Sequence, residues 1–75
     1  MIKARIPKQL KAKEVAVAAQ YVVFDPPSFF ELMDLVTKID RSARAKFFGS
    51  VMFNDKQYFW CYKSLYDNEE IEWVD

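Results

Sequence analysis

Asp25-Pro26-Pro27-Ser28 constrains this chain more than any other stretch. Two consecutive prolines admit neither a helix running through them nor a pair of strand-ladder donors. Proline also pushes the residue before it out of the helical region, so Phe24-Asp25 is expected to be extended. Just behind the break, Ser28 followed by Glu31 predicts a capping box, with each side chain satisfying a free backbone N–H at a helix start. The helix carries an apolar stripe at Phe29, Leu32, Met33, Val36 and Ile39, with Glu31, Asp34 and Lys38 off it. That spacing reads as a core face rather than a cofactor box. Glu31 and Asp34 near its start and Arg41, Arg44 and Lys46 near its end complement the helix dipole. The helix is therefore expected to run on towards Lys46, with Gly49 as a stop signal.

The flanking segments have the period of strands. Ile2, Ala4 and Ile6 alternate with Lys3 and Arg5, the pattern of a strand with one wet face, and Pro7 ends it or marks a sheet edge. Residues 8–14 are ambiguous. Across Glu14–Phe24, Val15, Val17, Ala19, Tyr21 and Val23 share one face of a strand, and a helix over Lys8–Gln20 is the competing reading. Beyond the helix, Phe47, Val51 and Phe53 alternate with Phe48 and Met52 across Gly49. Asn54–Gln57 supplies a turn, Tyr58–Leu65 a further strand, Asp67-Asn68-Glu69 a second turn, and Ile71–Val74 a final strand. The reading is an α+β fold in the order β-β-α-β-β-β. An antiparallel sheet of four to five strands has one main helix packed on one face. Seventy-five residues make one domain, 1–75, with no internal repeat or linker.

A domain this small buries only about 60–65% of the surface its unfolded chain exposes. Here 52% of residues are hydrophobic, including seven Phe, four Tyr and two Trp. Each ring can bury about 150–250 Å². The surplus points to an apolar patch facing a partner, or to a homodimer; the alternative is that rings simply replace aliphatics in a small core. The lone Cys61 cannot form an intramolecular disulfide, which fits a reducing compartment. No signal peptide is visible, and no run approaches the roughly 20 apolar residues that span a bilayer. A soluble, cytoplasmic protein without membrane association is expected.

The residue inventory argues against an enzyme. There is no histidine, hence no imidazole base, no partner for a nucleophilic Ser or Cys, and no imidazole metal ligand. Cys61 in an aromatic strand reads as a small buried hydrophobe. One Cys and no His do not make a zinc site, and a single glycine excludes phosphate-cradling loops. Asp67, Glu69, Glu70, Glu72 and Asp75 could hold a hard cation, but they lack calcium-loop spacing and read as a solvated turn and strand edge. No cofactor or metal is expected.

Eleven basic and eleven acidic residues cancel in number, but they are segregated. Lys3, Arg5, Lys8, Lys11 and Lys13 precede any acid, and the acids from Asp67 to Asp75 follow the last base. If the two ends are neighbouring strands, those charges pair with each other; if not, the protein is an electrostatic dipole. Arg41, Arg44 and Lys46 form a separate basic cluster. With Lys11 and Lys13 they are the candidate partner-binding residues, set against the plainer reading of a solvated helix end. A nucleic-acid-binding regulator using the same cations, with Tyr58 or Trp60 stacking on bases, is the alternative. The pI near 6.2 argues against it, since independent nucleic-acid binders usually lie above about 9.

Gly49-Ser50-Val51-Met52 after the helix, Trp60-Cys61-Tyr62-Lys63 in the next strand and Trp73-Val74-Asp75 at the end resemble phage-encoded anti-CRISPR inhibitors built as one helix on an antiparallel sheet. The resemblance is confined to the second half of the chain and carries no functional residue across. It implies a non-catalytic protein that occupies a surface of a protein or ribonucleoprotein complex, in the host cytoplasm. Combined with the residue inventory, it predicts a small binding protein that inhibits or regulates a macromolecular partner by occluding its surface.

Overall fold

The computed structural model describes residues 2–75, and it has the expected α+β order. The strands are β1 (Ala4–Pro7), β2 (Val15–Ala18), β3 (Tyr21–Phe24), β4 (Phe48–Phe53), β5 (Lys56–Tyr62) and β6 (Ile71–Val74). The main helix α1 spans Phe29–Ser42, and a short α2 spans Lys63–Asp67. Strands β2, β3, β5 and β4, in that spatial order, make an antiparallel sheet, while β1 and β6 pair in parallel as a separate two-stranded layer.

Period-two alternation explains why β3 is buried along its whole length. Tyr21 and Val23 point to one face of the sheet, where they pack with Leu35, Val36 and Ile39 of α1 and with Val51, Tyr58 and Trp60. Val22 and Phe24 point to the other face and pack with Ala4, Ile6 and Cys61, closed over by Leu65, Ile71 and Trp73. The sheet is thus sandwiched between α1 and the β1/β6 layer. T-shaped ring pairs bind each side: Tyr21 on Trp60 with centroids 5.5 Å apart, and Phe24 on Trp73 at 5.8 Å.

Several sequence expectations are corrected here. Glu14–Phe24 is a hairpin rather than one strand, because Ala18 pairs with Tyr21 across a two-residue turn. Ala19 makes that turn at φ 54°, without the glycine or asparagine that would have announced it. A helix over Lys8–Gln20 does not form; only a single 3-10 turn, Lys8–Leu10, precedes β2. Helix α1 stops at Ser42 and tightens into a 3-10 turn, Ala43–Ala45, so it does not reach Lys46. Gly49 is not a helix stop but a strand residue opposite Trp60. Leu65 belongs to α2, not to a strand, since β5 ends at Tyr62.

The start of α1 also differs. Ser28 Oγ donates to Glu31 Oε1 at 2.9 Å, a side-chain pair rather than a reciprocal backbone cap. Ser28 C=O accepts the Glu31 and Leu32 amides instead, and the Asn54 side-chain amide donates to Glu31. The Asn54-Asp55 turn has φ 50° and 64°, the paired positive values of a tight hairpin.

Candidate partner-binding surface

The face that α1 buries is set by Leu32, Leu35, Val36, Ile39 and Ala43, rotated from the expected stripe. Leu35, which the Phe29-based stripe passed over, is fully buried. Phe29 and Met33 are turned to solvent, as is Phe30, with 80%, 66% and 89% of their surface exposed. Two overlapping apolar stripes compete on this helix, and the β-sheet takes the one in which Leu35 and Ala43 replace Phe29 and Met33. Tyr21 locks the choice, because its hydroxyl donates to Asp40, the helix residue beside Ile39. Burial, and then the Asp40 carboxylate, raise the Tyr21 pKa above its ordinary value.

The outward face of α1 therefore begins aromatic and ends cationic. Lys38, Arg41 and Arg44 follow Phe30 and Met33 towards the C-terminal end, all exposed. Lys38 Nζ donates to the Met52 carbonyl on β4, and so ties the helix to the outer strand of the sheet. Arg41 lies with Lys38 and Ser42 in a groove against Ser50, Val51 and Met52. Lys46 borders the next groove, formed with Ala45 and Phe47–Ser50. Arg44 sits in the 3-10 turn between these two. The structure thus brings Arg41 and Lys46 onto the β4 flank. Lys38, which the sequence places off the apolar stripe, is the residue that joins helix to edge.

Lys11 and Lys13 are placed elsewhere. Lys11 borders a groove with Tyr66, Asp67, Glu69, Ile71 and Trp73, where acids already face it. Lys13 is exposed in the turn ahead of β2. Nothing in the groove linings joins either to Arg41. The terminal charges are neighbours, as one of the two sequence alternatives required. Arg5 pairs in register with Glu72, their side chains 3.6 Å apart, and Lys8 lies 3.9 Å from Asp75. That pairing is parallel, because the chain ends run the same way with the whole domain between them.

The remaining candidates are internal. Tyr58 and Trp60 are buried, so neither ring is offered for stacking on a base. Cys61 is fully buried, and desolvation pushes its thiol up to about 12, far from nucleophilic activation. Among the described residues, no three His, Cys, Asp or Glu side chains converge as metal ligands. No helix among them is long and apolar enough to cross a membrane.

No protein-family model matches the chain, and neither a curated protein nor a solved structure matches it.

Proposed function

We propose that this chain is a small, non-catalytic cytoplasmic binding protein that acts by occluding the surface of a protein or ribonucleoprotein complex. The anti-defence inhibitors it resembles in its second half supply the model for such a role. The observation that carries the reading is the outward face of α1. Phe29, Phe30 and Met33 stand exposed on α1 with Lys38 and Arg41, Arg44 follows in the adjoining 3-10 turn, and the buried face of the helix is already satisfied by the sheet. Exposed aromatic anchors beside arginines are the composition of a binding hot spot rather than of an inert surface.

Affinity capture from host lysate on the immobilised chain tests this reading. The expected result is a discrete macromolecular complex whose own ligand binding is blocked when the chain is added. A captured complex that keeps full activity sinks the inhibitory role, and the absence of any retained complex sinks the reading altogether. The alternative, a nucleic-acid-binding regulator, draws on the same cations. It predicts an electrophoretic shift of DNA or RNA at low salt that weakens steeply as salt rises.

A further inference from the structure

Strand β4 closes one side of the four-stranded sheet, and its hydrogen-bonding phase is fixed. The Tyr62 amide donates to the Phe47 carbonyl at 2.9 Å, so Phe47 and Tyr62 form a hydrogen-bonded pair. Antiparallel pairing alternates every two residues, so Gly49, Val51 and Phe53 also turn their backbone groups to β5. The N–H and C=O groups of Phe48, Ser50 and Met52 then point away from the sheet. The Lys38 contact with the Met52 carbonyl agrees with that phase. The other outward groups of these three residues have no backbone partner among the described residues. A six-residue strand with such an edge is a template for another strand.

The surroundings of the edge specify what could dock there. The two grooves along β4 meet at Ser50, and the side chains bordering them include Lys38, Arg41 and Lys46 but no carboxylate. None of these three cations takes part in an ion pair within the described chain. A second copy of this chain pairing β4 on β4 would set the same cations against one another, which disfavours a homodimer through this edge. A nucleic acid would satisfy the cations but has no match for alternating backbone donors and acceptors.

Resting on the binding-protein reading above, we infer that the β4 edge accepts an extended, acidic segment of the partner protein as a fifth strand. Main-chain bonds to Phe48, Ser50 and the Met52 amide hold the segment, and its carboxylates at alternate positions meet Lys38, Arg41 and Lys46. This is strand addition with a charge code on the side of the sheet that faces α1.

Panning a randomised ten-residue peptide library on the purified chain tests the inference without any host partner. Enriched peptides are expected to carry Asp or Glu at every second position and to bind more weakly as salt rises. Ser50→Pro removes an outward amide without touching the β5 ladder, and proline is tolerated at sheet edges. It is expected to weaken a selected peptide tenfold or more, as is K38E/R41E. In the wild-type complex, the Phe48, Ser50 and Met52 amides should exchange hydrogen more slowly than in the free chain. No binder, binders without alternating acids, or acidic binders indifferent to Ser50→Pro would overturn the inference. If the proline variant does not fold, unchanged exchange at Ser50 in the wild-type complex overturns it alone. Acidic peptides that bind here while the lysate partner stays active would remove the inhibitory role and leave the edge site standing.

Discussion

On one side of the sheet, β1 and β6 set Arg5 against Glu72 and Lys8 against Asp75. Where α1 meets β4, Lys38, Arg41 and Lys46 line the strand edge with no carboxylate across from them. Arg5 and Lys8 face carboxylates, whereas Lys38, Arg41 and Lys46 take part in no ion pair among the described residues. The same contrast holds for apolar residues. Ile6 of β1 is wholly buried, whereas α1 buries one stripe and presents Phe29, Phe30 and Met33 to solvent. The β1/β6 layer closes the fold; the α1/β4 flank both closes it and faces outward.

The largest effect that would break this contrast is on stability. Ile6→Ala, in the β1/β6 layer, is expected to cost about 2–5 kcal/mol in urea denaturation, as truncation of a buried aliphatic does. Phe30→Ala should change stability by no more than about 0.5 kcal/mol, since its ring touches little but solvent and Phe29. An Ile6 variant as stable as the Phe30 variant would remove the β1/β6 layer from the core.

Alkaline titration sharpens the comparison next, because Cys61 lies under the β1/β6 layer and Tyr21 under α1. Both hold their protons more tightly in the folded state, Cys61 up to about 12 from an ordinary 9.0, Tyr21 above an ordinary 10.0. Their contribution is intact below the unfolded values and is lost as pH climbs towards the folded ones. Stability followed by circular dichroism should therefore fall between pH 9 and about 12. Cys61→Ala should flatten the onset and leave the part that belongs to Tyr21. An unchanged profile in that variant would place the Cys61 thiol in contact with water.

The smallest effect is the Arg5–Glu72 coupling. A double-mutant cycle is expected to give about 0.2–1 kcal/mol, shrinking with added salt, as for an exposed pair. A coupling indistinguishable from zero at low salt would mean that the parallel register is set by Ala4, Ile6, Ile71 and Trp73 alone.

Much of this architecture is legible in the sequence, because the physics is local. The proline pair forces the strand-to-helix break, alternation in Phe47–Phe53 gives β4, and Asn54-Asp55 gives its hairpin. What escapes has non-local causes. The Ala19 turn carries no residue that favours positive φ; it is imposed by pairing β2 on β3. The phase of α1 depends on which stripe the sheet accepts, and Leu35 with the Asp40–Tyr21 contact decides it. That the chain ends pair in parallel follows from both lying under one face, which no window of sequence displays. Of the candidate contact residues, Arg41 and Lys46 come to the β4 flank, whereas Lys11 lies beside acids in a different groove.

Arg5 and Lys8 face carboxylates of β6 and the C-terminus, while Arg41 of α1 and Arg44 of the turn after it are proposed to serve a partner. Capture from lysate by two folded variants of equal net charge, R5E/K8E and R41E/R44E, tests it most directly. R5E/K8E is expected to retain the wild-type complement of captured material and R41E/R44E to lose it at least tenfold. Capture lost by R5E/K8E and kept by R41E/R44E would contradict it.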